Sequence, residues 1–321
     1  AGTLWTPGER DGVRPGSEFH RTEYFGPVLG IMTAATLDEA IGIVNAVDYG
    51  LTSGLHSLDD AEVQQWLGAI EAGNAYVNRG ITGAIVQRQP FGGWKRSAVG
   101  AGAKAGGPNY LFGLGSFEDA SPGTGGALDE LARTALASAA APDRPWLEAA
   151  LADDLVAVAE EFGVARDVTG LAVEQNVFRY APVPVVVRAS TAAPAALLRT
   201  VAAGSRVGSP ITVSTTEALP ETIAAGLRAL GAEVIVEGTG SWAARLRELA
   251  TTGGRVRLLG GDPAEIAALT GGAPNVAVWA GDVVSAGRLE ALPYLREQAV
   301  SVTAHRFGTP RRYAVPALVR S

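Results

Sequence analysis

Apolar residues recur at helical spacing from Leu37, with Ala40, Ile41 and Val44 sharing one face. Thr36-Leu37-Asp38-Glu39 ahead of them has the spacing of a capping box, which satisfies the orphan N–H groups of a helix start. These signals predict a helix that stops near Gly50, with a strand before it over 25–33. A second helix is predicted over 60–72, ended by Gly73. A short strand over 75–78 then feeds a Gly-rich segment.

Past residue 140 the pattern changes to alternation of short apolar runs with helical periods. Asp143-Arg144-Pro145 opens a helix predicted to end at Gly163. The continuous apolar run 183–187 has the character of a strand buried on both faces. Further strands are predicted over 210–214, 234–236, 256–259 and 276–279. The helices between them span 192–203 with a stop at Gly204, 220–230 with a stop at Gly231, and 242–250; Asp262-Pro263 caps one more. Strands alternating with helices of this length imply an α/β fold with a mostly parallel sheet covered on both faces. S-F-E-D-A-S-P-G-T-G-G-A-L-D at 116–129 is rich in Ser, Pro and Gly, as linkers are. It divides the chain into a portion at 1–120, a linker at 121–130 and a portion at 131–321.

A length of 321 residues suffices for about two domains with real cores. The net charge of -7 argues against a nucleic-acid partner, because phosphate neutralisation needs a positive surface. No apolar run reaches membrane-spanning length. There are no cysteines, which removes disulfides, thiolate metal sites and thiol nucleophiles and fits a cytoplasmic location. The opening Ala-Gly-Thr-Leu-Trp is expected to lie inside a longer protein. His20, His56 and His305 lack ligand spacing, so no metal site is expected.

The segment G-N-A-Y-V-N-R-G-I-T-G-A-I-V-Q-R-Q-P-F-G-G at 73–93 resembles the substrate-anchoring loop of the aldehyde dehydrogenase superfamily, in the branch that oxidises glutamate semialdehyde. Glu23-Tyr24-Phe25-Gly26-Pro27-Val28 resembles that superfamily's E-x-F-G-P-V motif, and Pro90-Phe91-Gly92-Gly93 with Ser97 its P-F-G-G-x-x-x-S pattern. The lead-in from Trp5 to Glu23 extends the likeness over nearly all of 1–120. The resemblance implies cofactor contacts at Glu23 and Phe25, with the carboxylate bonding nicotinamide ribose and the ring packing by the nicotinamide. It implies substrate contacts at Gly83, Ala84 and Phe91. The first two would bind the substrate carboxylate through backbone N–H groups, and Phe91 would pack on the aliphatic part. A missing Cβ suits Gly83 to close approach by an anion. The bland alternatives are a strand entry with a surface Glu, and a Gly-rich loop with a buried Phe.

The second portion resembles the extra C-terminal domain of the bifunctional proline utilization A family, a degenerate Rossmann-like copy of an aldehyde dehydrogenase cofactor domain. L-L-R-T-V-A-A-G-S-R-V-G-S-P-I-T-V-S-T-T-E-A-L-P at 197–220 carries this likeness, with Ser214 where the superfamily has its cofactor-binding Lys. L-P-Y-L-R-E-Q-A-V-S-V-T-A-H-R-F-G-T-P at 292–310 is similar to that domain's end. The resemblance implies a parent that oxidises L-glutamate γ-semialdehyde with NAD and carries FAD in a proline dehydrogenase domain. The nucleophilic Cys is expected about a hundred residues upstream of Ala1. The chain itself is expected to hold no catalytic residue, to need no cofactor of its own, and to have the remaining parent polypeptide as its partner, with homo-oligomers open. A non-catalytic module that braces the active site or seals a channel is the competing reading. A third is an independent dinucleotide module, since Gly238-Thr239-Gly240-Ser241-Trp242-Ala243 fits G-x-G-x-x-A with Asp262 at fingerprint distance. Against it stand the bulk of Trp242 and the capping role of Asp262. Arg306, Arg311 and Arg312 make a basic end that suits either a solvated tail or an intrachain dock.

Overall fold

The computed structural model describes residues 2–100, 102–119, 126–190, 193–306 and 309–319. Half of the expected linker, 121–125, lies outside them, as do Phe307 and Gly308 of the segment 292–310.

Two five-stranded sheets organise the chain. The first is parallel throughout, in the order Glu233–Val236, Ile211–Thr215, Val185–Ala189, Gly254–Leu259, Val276–Trp279. Helices Pro194–Arg206, Glu221–Ala229, Thr239–Thr252 and Pro263–Thr270 connect its strands. This is the α/β alternation predicted from the apolar pattern. Leu197, Leu198 and Val201 pack with Val185, Val187 and Val213 in one core, and Trp242, Leu246 and Ile266 with Val256 and Leu258 in another.

The second sheet is mixed and joins the two portions. Its order is Thr52–Leu55, Asn74–Val77, Leu295–Thr303, Glu174–Pro182, Arg166–Asp167. Leu295–Thr303 runs parallel to Asn74–Val77, with Ala299 opposite Asn74, and antiparallel to Glu174–Pro182, with Ser301 opposite Asn176. Val63, Trp66, Leu67 and Val77 share a core with Val177, Val300 and Val302 across the proposed division.

Several predicted boundaries shift, each for a local reason. The strand expected over 25–33 is only Val28–Gly30, paired with Gly8–Arg10. Helix Asp60–Ala69 closes three residues early, because Ile70 is already extended. The helix expected to reach Gly163 is α-helical over Arg144–Ala157 and widens into a π turn over Val158–Phe162. Gly204 does not stop its helix, which continues to Arg206. A Cβ there would lie 2.5 Å from the Tyr294 ring, so Gly204 serves close packing instead. No helix among the described residues is long and apolar enough to cross a membrane.

Candidate functional site

Strand Asn74–Val77 is fully buried and delivers the chain to Asn78, whose φ is +56°. The Asn78 amide holds Ser57 from both sides, accepting from its N–H at 3.0 Å and donating to its carbonyl at 2.9 Å. An exposed loop follows. Gly83 has φ +78°, in the left-handed region that favours glycine, and no heavy atom lies within 4 Å of where a Cβ would stand. Gly83 and Ala84 are both exposed. Among the described residues no backbone–backbone hydrogen bond involves 80–84.

The loop closes at its far end. Arg88 and Gln89 N–H groups donate to the Ile85 carbonyl, each at 3.0 Å, and the Ile85 N–H donates to Gln89 Oε1 at 2.8 Å. Phe91 then forms a two-way bridge with Ala105 and remains 38% exposed, so its ring is not the buried one of the bland alternative. The following glycines are needed for contact. A Cβ on Gly73 would fall 2.1 Å from the Gly92 carbonyl oxygen, and one on Gly93 would fall 2.3 Å from the Ser97 Cβ. Ser97 Oγ accepts the Gly50 N–H at 3.2 Å. The P-F-G-G-x-x-x-S spacing thus packs strand ends tightly beneath the loop.

Lys104, which sequence reasoning passed over, supports this base. It is 1% exposed, and its Nζ donates to Asn74 Oδ1 at 3.0 Å and to the Gly92 carbonyl. Its backbone N–H donates to Glu297 Oε2 at 2.6 Å. Burial pulls its ammonium down to about 7, against the upward pull of the Glu297 carboxylate. The only sequence signal was a lone Lys between small residues in A-G-A-K-A-G-G.

Glu23 and Phe25 sit elsewhere, in the segment between helix Glu18–Arg21 and strand Val28–Gly30. Glu23 is exposed and lines a cavity of about 300 Å³ with Val13, Phe19, His20, Tyr24 and Met32. Phe25 is 96% exposed. His20 Nε2 bonds the Ile43 carbonyl at 3.0 Å and ties helix Glu18–Arg21 to the helix Leu37–Asn45. Among the described residues no hydrogen bond joins Glu23 or Phe25 to 80–91.

The G-x-G-x-x-A segment of the second portion is not a free turn. Gly238 caps helix Thr239–Thr252 with φ −68°, and Thr239 and Gly240 are its first helical residues. The carboxyl ends of the neighbouring strands are filled by side chains. The Arg188 guanidinium lies 4.8 Å from the centre of the buried Trp242 ring and donates to Ser214 Oγ at 2.7 Å. Ser214 Oγ donates to Glu237 Oε2 at 2.7 Å, and Arg245 Nε reaches Glu237 Oε1 at 2.9 Å. Asp262 Oδ1 accepts the Ala264 N–H at 2.8 Å, as an N-cap does.

Residues 1–112, about a third of the chain, match the aldehyde dehydrogenase family. The chain is 43% identical over 100 residues to 1-pyrroline-5-carboxylate dehydrogenase of Geobacillus kaustophilus strain HTA426, covering 31% of this chain and 19% of that protein. It is 50% identical over 91 residues to the bifunctional protein PutA of Rhizobium meliloti, covering 28% of this chain and 7% of that protein. Nearly the whole chain, 96%, superposes on the structure of proline utilization A from Corynebacterium freiburgense, with TM-score 0.76 and 42% identity, over 28% of that chain. This chain therefore spans less than a third of each of these relatives.

Proposed function

We propose that this chain supplies the carboxylate-anchoring part of an NAD-dependent L-glutamate γ-semialdehyde dehydrogenase. The observation that carries the proposal is the turn at 82–84: exposed, without backbone hydrogen bonds of its own, and with Gly83 in the left-handed region. Such a turn leaves N–H groups free to receive an anion. In this reading Gly83 and Ala84 bind the carboxylate, and the half-exposed Phe91 ring covers the aliphatic chain between carboxylate and aldehyde. Exposed Glu23 offers acceptors to ribose hydroxyls, and Phe25 offers a ring face to the nicotinamide. NAD, when bound, takes the hydride released by aldehyde oxidation. The covalent step calls for a thiolate. This sequence contains no Cys, so the step belongs to residues outside it. The second portion is read as a non-catalytic support, because Leu295–Thr303 lies against the base of the loop.

The test is a titration of the isotope-labelled chain with L-glutamate, the product of the proposed reaction. Saturable amide shifts centred on Gly83 and Ala84 are expected. Shifts that are absent, or that fall elsewhere, overturn the reading. The same chain given semialdehyde and NAD is expected to form no NADH above the protein-free control.

A further inference from the structure

The turn at 82–84 has no hydrogen-bonded frame of its own, yet both of its flanks run to one small cluster. On the entering side, Arg79 Nη1 donates to Ser301 Oγ at 2.6 Å and pairs with Glu174 Oε2 at 3.0 Å. Its guanidinium also lies 5.6 Å from the centre of the Tyr76 ring. On the leaving side, Gln89 is 3% exposed and donates through Nε2 to Asn176 Oδ1 at 2.6 Å and Ser301 Oγ at 3.1 Å. Glu174 Oε1 lies 3.4 Å from the same nitrogen. The other end of the Gln89 amide accepts the Ile85 N–H and so closes the loop.

The three receiving residues all belong to the second portion. Asn176 and Ser301 are direct cross-strand partners on adjacent strands. Ser301 Oγ donates to Asn176 Oδ1 at 2.8 Å, and Asn176 Nδ2 donates to Glu174 Oε1 at 2.8 Å and Thr169 Oγ1 at 3.1 Å. The cluster is therefore internally satisfied and has one arrangement of donors and acceptors. Buried and fully bonded polar groups of this kind specify geometry, because any displacement leaves an unpaired group in low dielectric.

We propose that Gln89 and Arg79 are positioning residues through which Glu174, Asn176 and Ser301 set the shape of the 82–84 turn. The proposal rests on the anchoring reading for its use in substrate binding, but the mechanical coupling stands apart from it. The Ile85 amide reports directly on the clamp, since its acceptor is Gln89 itself. A merely structural role for the cluster would alter the whole fold, whereas a clamp alters the loop selectively.

Two variants test this in the present chain by hydrogen exchange, with the Val213 and Leu258 amides of the parallel sheet as controls. Gln89→Glu keeps the shape and the acceptor for Ile85 but sets a carboxylate against Asn176 Oδ1 and Glu174. Asn176→Leu removes the acceptor from a strand some ninety residues distant. Each is expected to speed Ile85 exchange by about tenfold, the loss of roughly one strong hydrogen bond, with the controls unchanged. Adding Glu174→Gln to Gln89→Glu restores a donor and is expected to recover most of the protection. Unchanged Ile85 exchange in both single variants overturns the clamp. Equal acceleration of the control amides does so too, since it makes the cluster a general stabiliser. Glutamate titration of the same proteins separates the two readings. Weaker binding by about tenfold supports both. A clamp effect without any glutamate shift keeps the clamp and removes the anchoring. Glutamate shifts with unaltered exchange keep the anchoring and remove the clamp.

Discussion

The segments 82–84 and 238–240 both offer glycines where backbone amides could meet an anion, with open space above Gly83, Gly238 and Gly240 alike, and they differ in backbone conformation and in the side chains that stand beside them. Gly83 has a left-handed φ, open space above it and no backbone bonds, on a loop whose flanks are held by buried polar side chains. Gly238 is the extended N-cap and Gly240 an early residue of helix Thr239–Thr252, and the crevice beside them holds a Trp, two Arg and a Glu bound to one another. The second portion has a parallel sheet with crossover helices, and Arg188, Ser214 and Glu237 bond one another at the carboxyl ends of its strands.

Opening that closed crevice is expected to have the largest effect. Trp242→Ala removes a buried ring and uncovers Arg188, and should cost about 3–5 kcal/mol in urea unfolding. Calorimetry on the variant should still show no saturable NAD binding, because Arg188, Ser214 and Glu237 remain bonded to one another. Saturable binding would mean that the ring alone blocks an otherwise intact site.

The packed base of the open loop should announce itself through pH. Lys104 falls from an ordinary 10.5 to about 7 in the folded chain. Between those values the unfolded chain holds a proton that the folded chain has released, so stability rises with pH across that window. Relative to Lys104→Met, the unaltered protein should gain up to about 1.4 kcal/mol per pH unit between pH 8 and 10. Urea midpoints at three pH values check the slope, and parallel profiles would place Lys104 in a wetter setting.

The two glycines should respond with opposite signs. Gly83→Ala forces a side chain into a positive φ and should cost about 1–2 kcal/mol or reshape the turn, with loss of the glutamate-induced shifts. Gly240→Ala adds a methyl to a helical residue facing open space and should stabilise by about 0.5–1 kcal/mol. Thermal unfolding of both variants gives the comparison directly, and a stabilising Gly83→Ala would end the contrast.

The parallel sheet was legible in the sequence because its strands are apolar runs such as V-P-V-V-V and its helices have Pro starts and Gly stops. The loop was legible through its glycines. The clamp beneath it was not. Glu174–Pro182 and Leu295–Thr303 are nine-residue strands whose buried positions include Gln175, Asn176, Arg179, Glu297, Gln298 and Ser301, so neither shows apolar alternation. Those polar groups are buried because they bond one another and the first portion, as Arg179 Nε does Gln298 Oε1 at 2.8 Å. A one-dimensional pattern records which residues avoid water. It does not record which polar residues find partners far along the chain. At Gly238-Thr239-Gly240 the sequence already set the bulk of Trp242 against the dinucleotide motif, and what it did not record is that this ring packs on Arg188 from the neighbouring strand.

The central place of Leu295–Thr303 in the mixed sheet also orders events in time. Gln298 donates to the Ala72 carbonyl across 226 residues of chain, so this pairing carries a large loop-closure entropy and forms late. On a ribosome, Asn74–Val77 could pair with Thr52–Leu55 early, but its other edge would wait without a partner until residues 295–303 had emerged. Nascent chains halted before residue 295 should therefore depend on chaperones, and the loop they carry should gain its shape only once Leu295–Thr303 has been made.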